Sequence, residues 1–121
     1  MRNKIESNLY SLECFLNKKL PPYYRHFLME FGVADMVELN NSDGDSISWY
    51  GSEMLIERNE TYAIQAADPV LLMIGQDGDL GYFIDIDSGS DVLYSVDIGA
   101  LGCIPLTREA DNIQAYLHVV P

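Results

Sequence analysis

The sequence predicts an α+β fold, with two N-terminal helices, a run of short strands, and a C-terminal helix. Three observations carry that reading. Apolar residues recur at helical spacing as far as Phe31. Past Gly32 the apolar period shortens to that of strands. The strand-like runs are joined by short glycine-bearing turns, which suit antiparallel hairpins and not βαβ crossovers. A chain of 121 residues, 48% of them hydrophobic, is sized for one core, so residues 1–121 are read as a single domain.

Ile5, Leu9, Leu12 and Leu16 form one face of a first helix, which ends near Lys18 and Lys19. Leu20-Pro21-Pro22 stops it and opens a second helix, since proline is tolerated in a first turn. Tyr24, Phe27, Leu28 and Phe31 are its apolar face, and Gly32 suits its C-terminal left-handed position. Short strands are predicted over 36–39 and 47–50, separated by turn chemistry from Asn40 to Ser46. Gly51-Ser52-Glu53 is expected to cap a short helical segment with Leu55, Tyr62 and Ala66 on one side, ended by Pro69.

Three strands follow, over 70–74, 80–86 and 92–98. The second is apolar on both parities except at Asp85, so it is expected to be central and covered on both faces. Val92, Tyr94 and Val96 alternate with more polar neighbours and are expected to point inward. Thr107 is expected to cap the last helix, with Glu109 and Asp111 in its first turn and Ile113, Tyr116 and Leu117 on its apolar side. No internal repeat, linker or low-complexity segment is present.

Charge narrows the function classes. The chain has 19 acidic and 7 basic residues, a formal charge of −12. Binding nucleic acid needs Lys and Arg against phosphate, so nucleic acid is excluded as a direct partner. An anionic membrane surface is disfavoured for the same reason. The acidity is concentrated: from Asp35 to Asp97 there are 14 acidic residues and one basic residue, Arg58, a net of −13. The rest of the chain nets +1. A basic protein partner suits this distribution, because opposite potentials speed encounter and select the partner.

Cys14 and Cys103 are the only cysteines and form no metal or redox motif, so both are expected to be small buried hydrophobes. Glu6, Glu13, Lys18 and Lys19 interrupt any signal-peptide core, and the longest apolar run is too short to span a bilayer. A soluble cytoplasmic protein is the expectation.

Motifs for chemistry are tested in turn. Counted from Asp77 or from Asn41, an EF-hand ligand set fails at its glycine and its terminal glutamate, leaving loops with at most weak cation binding. Gly75, Gly78 and Gly81 are spaced like a phosphate cradle, but Asp77 and Asp79 sit between them and carboxylates repel phosphate. His26 and His118 are read as surface or boundary residues, and neither cysteine sits in a nucleophile motif. No catalytic, cofactor or metal residue is assigned. What remains is aromatics interleaved with carboxylates. Trp49 follows Asp43 and Asp45, Tyr82 follows Asp77 and Asp79, and Tyr94 follows Asp85, Asp87 and Asp91. Carboxylates set the sign of a partner and aromatics supply contact area.

Three stretches resemble the SUKH superfamily, the Smi/Knr-like proteins. LPPYYRHFLMEFG over residues 20–32 is similar to its LPxxYxxFLxxxNG opening. WYGSEML over 49–55 looks like its middle segment, and LMIGQDGD over 72–79 followed by YFID over 82–85 is similar to its IGxxGxGDxYxxD hairpin. Their order and spacing agree, although Gly32 stands where an Asn-Gly is common and the hairpin turn holds fewer glycines. The resemblance implies a central, mostly antiparallel sheet packed by helices and no shared catalytic residues. It also implies a bacterial immunity protein that binds and occludes a cognate toxin, or, in the fungal manner, a non-enzymatic regulatory or scaffold adaptor.

The leading expectation is therefore an immunity protein against a basic toxin, a nuclease by preference, with Asp43, Asp45, Trp49, Asp77, Asp79, Asp87 and Asp91 as contact residues. An adaptor without a toxin partner is the alternative. A small enzyme or ligand-binding protein would need a deep polar cleft around His26 or Cys14.

Overall fold

A computed structural model describes residues 4–31, 36–41 and 43–117. The elements run α1 (Lys4–Leu16), α2 (Pro22–Phe31), β1 (Met36–Asn40), β2 (Ser46–Tyr50), α3 (Leu55–Thr61), α4 (Ile64–Ala67), β3 (Leu71–Asp77), β4 (Leu80–Asp85), β5 (Leu93–Asp97), a 3-10 turn (Ile98–Ala100), β6 (Thr107–Ala110) and α5 (Ile113–Leu117). The strands form one six-stranded sheet in chain order, each pair antiparallel. The α+β expectation therefore holds, with β4 inside the sheet and Gly81 to Ile84 buried.

Helix α1 buries Leu9 and Leu12 and half-buries Ile5 and Leu16, as its spacing predicts. It ends two residues before Lys18. Asn17 takes the left-handed conformation (φ 55°), and the Lys18 N–H bonds the Glu13 carbonyl, which satisfies an orphan acceptor of the last turn. Pro22 opens α2, which buries Tyr24, Phe27 and Leu28. The predicted role of Gly32 lies outside the described residues.

The register assigns side chains to two faces of the sheet. Val37, Leu39, Ile47, Trp49, Gly75, Tyr82 and Ser95 share one face. Helix α5 covers it through Tyr116, whose ring meets those of Trp49 and Tyr82, and α2 packs beside α5, with Gln114 donating to the Tyr23 carbonyl. Gly75 is required there. A Cβ at that position would lie 2.6 Å from the Trp49 ring and 2.9 Å from the Ser48 carbonyl oxygen. The other face carries Glu38, Ser48, Tyr50, Gln76, Met73 and Phe83, and α3 and α4 pack on it at β3.

Strand β3 has a register shift between Met73 and Gly75, and it pairs with β2 only through Gln76 and Gly75. Asn59, fully buried on α3, supplies what β2 does not. Its Nδ2 donates to the Met73 carbonyl (3.0 Å) and its Oδ1 accepts from the Met73 N–H (2.9 Å). Gln65 donates to the same Oδ1 and to the Leu71 carbonyl. Side-chain amides thus continue a ladder that strand pairing leaves off.

Four expectations are corrected. The segment after β2 is two short helices broken at Ala63, which is left-handed (φ 52°), and no Gly51, Ser52 or Glu53 side chain caps it. Its buried residues are Leu55, Asn59 and Ile64, while Tyr62 and Ala66 are exposed, because a polar residue occupies the inward position. Thr107 does not cap a helix: it begins β6, whose backbone pairs with β5, and Asn112 caps α5 by accepting from the Ala115 N–H (2.8 Å). In β5, Val96 is buried as expected, but Leu93 and Ser95 of the other parity are buried too and Val92 and Tyr94 are only half-buried, because both faces of the strand are covered. Cys14 and Cys103 are exposed, not buried.

Replacing Asn59 by Leu leaves the Met73 N–H and C=O buried without those partners. The expected loss is about 3 kcal/mol, read from urea unfolding of the two proteins side by side.

Candidate functional site

Antiparallel order places the loops at two opposite ends of the sheet. The β1–β2 turn, the β3–β4 turn and the end of β5 share one end, and the β4–β5 loop lies at the other. Strand β4 separates the ends by roughly 20 Å at about 3.4 Å per residue. Of the seven predicted contact residues, Asp43, Asp45, Asp77 and Asp79 therefore stand together, and Asp87 and Asp91 stand apart from them.

Asn41 builds the first turn. Its side-chain oxygen accepts from the Asp43 N–H (3.0 Å) and the Asp45 N–H (2.9 Å), while Gly44 takes φ 86°. Both carboxylates stay exposed. Asn41 Nδ2 donates to the Tyr116 hydroxyl (3.0 Å), which also meets the Tyr82 hydroxyl at 3.0 Å. The acidic turn is thus tied to the aromatic cluster of the core. Burial and the hydrogen bond to Tyr116 push the Tyr82 phenol well above its ordinary value.

The second turn is the two-residue loop Gly78-Asp79. Gly78 takes φ 60° in the first central position, as a type II′ hairpin requires. The Ile98 N–H bonds the Asp79 carbonyl (2.8 Å), and Gln76 Nε2 donates to the Gly78 carbonyl (3.1 Å). Gln76 in turn accepts from the Tyr50 hydroxyl. Asp77 and Asp79 project from this clamped backbone, and Asp97 is opposite Leu80 at the same end. Beside the turns lies a hollow of about 620 Å³ between α3 and the first three strands, lined by Met36, Glu38, Ser48, Arg58, Tyr62, Gln76 and Asp77 among others. Arg58 is the one cation there, and Glu57 grips its guanidinium while the Tyr62 ring lies 5.8 Å beneath it.

Three predicted contact residues have other occupations. Trp49 is fully buried against Tyr82 (ring centroids 5.2 Å apart) and Gly75, so it is a core residue and offers no surface to a partner. Among the described residues the large exposed aromatics are Tyr10, Tyr23 and Tyr62, with Phe15, and none stood out in the sequence, since strand and helix aromatics read alike as core. Asp91 accepts from the Tyr23 N–H (3.1 Å) and the Tyr24 N–H (2.9 Å), which makes it an N-terminal cap for α2 supplied from 67 residues away. Asp87 is paired with Lys18 at 2.9 Å.

His26 is exposed, as expected, and lies 3.4 Å from Glu30. It lines a hollow of about 520 Å³ between α1 and α2, with Tyr10, Glu13, Arg25 and Met29. Cys14 lines a neighbouring hollow, so the two do not share one site. Glu13 is committed to the Leu20 N–H (2.8 Å) and to Arg25 (3.0 Å). His118 lies outside the described residues. Among the described residues no group of three or more His, Cys, Asp or Glu side chains is placed to hold a metal, and no helix is long and apolar enough to cross a membrane.

No protein-family model matches the chain, and no characterised protein matches it in sequence.

Two outcomes follow from this geometry. Asp91→Ala should destabilise the fold by about 1 kcal/mol through loss of the α2 cap, measured in urea. Burial raises the Tyr24, Tyr50 and Tyr82 phenols above 10.0. Below that pH both states keep these protons and the stability is complete. Above it the unfolded chain releases protons that the folded chain retains, so stability falls as pH rises. Tyr82→Phe should flatten that alkaline decline, followed as the urea midpoint between about pH 9 and pH 11.

Proposed function

We propose that this chain is a SUKH-type immunity protein that neutralises a basic toxin of the nuclease class by occluding it. The observation that carries the reading is the cluster of exposed carboxylates Asp43, Asp45, Asp77 and Asp79 on two adjoining, hydrogen-bonded turns. The sequence resemblance to the Smi/Knr-like proteins supports it. A fixed array of negative groups can stand in for a polyanionic substrate against the cationic cleft of a nuclease, with no chemistry of its own. Because the turns are pinned by backbone hydrogen bonds, little ordering accompanies binding, and the field mainly speeds encounter.

In this reading Met36 and Tyr62, both exposed on the lining of the hollow that adjoins the acidic turns, supply the apolar contact that Trp49 does not. Asp87 and Asp91 serve the fold and leave the contact surface.

The test begins with capture of a partner from the host and co-expression, asking whether this chain restores growth. The quadruple variant Asp43→Asn, Asp45→Asn, Asp77→Asn, Asp79→Asn should then slow association about tenfold or more, and added salt should slow the parent in the same way. Asp87→Asn should leave the rate unchanged. A rate indifferent to salt and to the four substitutions would remove the acidic end from the mechanism.

A further inference from the structure

The outer edge of β1 leads up to the same end. The sheet stops at β1, so among the described residues no strand pairs with its outer side. The Asn41 N–H bonds the Asp45 carbonyl, and the pairs Leu39–Ile47 and Val37–Trp49 follow at every second residue. In an antiparallel ladder such pairs exchange the hydrogen bonds, and the residues between them direct N–H and C=O the other way. Met36, Glu38 and Asn40 therefore present their backbone groups to the free edge. Their side chains lie on the face of the acidic hollow, and all three are exposed.

The opposite edge differs. Strand β6 has four residues, a register irregularity against β5, and two charged side chains fastened locally, Arg108 to Asp111 and Glu109 to Ser95. Bulges, short length and charge are the usual protections of an edge. Strand β1 pairs with β2 in five consecutive positions without a bulge and carries neither Lys nor Pro. A second copy of this chain is a poor occupant, because two β1 edges pairing about their centres would oppose Glu38 to Glu38.

We propose that the β1 edge takes up an extended basic segment of a partner protein as a seventh strand, with alternate Lys or Arg side chains on the face of Glu38, the central one beside its carboxylate. The residues of that segment opposite Met36, Glu38 and Asn40 share their face, so they meet the hollow and the acidic turns. The intervening residues cover half-buried Val37 and Leu39 and are apolar. The occupant is thus defined by an alternating basic and apolar pattern. The inference rests on the acidic end being the contact surface, and it specifies how a partner seats there.

A synthetic decapeptide of alternating Lys and Val tests it, beside a twin N-methylated at its Lys residues, which keeps the charge and loses the backbone donors. The first peptide should bind in fluorescence anisotropy and slow amide exchange at Glu38 and Asn40 about tenfold or more, while the twin binds at least about tenfold more weakly. Glu38→Gln, a change on an exposed side chain, should weaken binding several-fold without altering the fold. Equal affinity of the twin, no binding at all, or protection elsewhere overturns the proposal, as does dimerisation of the free chain through β1. A captured partner that binds with salt-dependent kinetics yet leaves the Glu38 and Asn40 amides unprotected would sink strand addition alone and leave the acidic-end reading standing.

Discussion

The fold depends on how β3 is hydrogen-bonded. A strand buried on both faces has to find a partner for every N–H and C=O, since an unpaired one costs as much as a lost hydrogen bond. Strand β3 has its full length against β4 but only two residues against β2. The gap is closed from above by Asn59, which offers one donor and one acceptor in the spacing of a peptide group, and by Gln65. That substitution lets β2 diverge from β3 toward Tyr50 and admits α3 and α4 onto the sheet. The hollow beside the acidic turns follows from this placement, since α3 forms one of its walls.

A second constraint links the core to the surface. Trp49, Tyr82 and Tyr116 pack as a cluster, and the Asn41 amide and the Tyr116 and Tyr82 hydroxyls form one hydrogen-bonded chain. Asn41 then fixes the peptide groups of Asp43 and Asp45. The positions of exposed carboxylates are set by buried residues. This is how a surface can be both highly charged and rigid. The like-charge repulsion acts on side chains, while the backbone that carries them is held by neutral hydrogen bonds that salt and pH near neutrality leave alone.

Much of the architecture was legible because it follows from periodicity. Ile5, Leu9, Leu12 and Leu16 could only be one face of a helix, and the glycines at 78 and 89 marked turns that the backbone indeed takes with positive φ. What escaped was everything decided by partners far away in sequence. Asn59 reads as a poor helix former, and nothing local says that it is buried to serve Met73. Thr107 and Asn112 are both good caps, and only the pairing of β6 with β5 chooses between them. Asp91 reads as one more acid in a charged loop, whereas it faces the start of α2, 67 residues earlier. The candidate site was half legible for the same reason. The turn acids are exposed because turns are, but Trp49 was indistinguishable from a surface aromatic until Gly75 and Tyr82 were seen to enclose it.

The division of acids between the two ends is itself informative. At the β4–β5 end the carboxylates are engaged: Asp85 accepts from the Asp87 and Ser88 N–H groups, Asp87 meets Lys18, and Asp91 caps α2. At the other end Asn41, a neutral side chain, organises the first turn, and the second is held by backbone bonds and Gln76. Carboxylates that stabilise a fold are found facing N–H groups or cations, because that is where their charge lowers the free energy. Of the four carboxylates gathered there, Asp45 accepts a long bond from Asn41 Nδ2 (3.4 Å), while the turns take their shape mainly from backbone and neutral groups, so the cluster chiefly adds self-repulsion. Their removal should therefore be neutral or slightly favourable to folding, and a charge pattern that the fold does not require is best accounted for by what approaches it from outside.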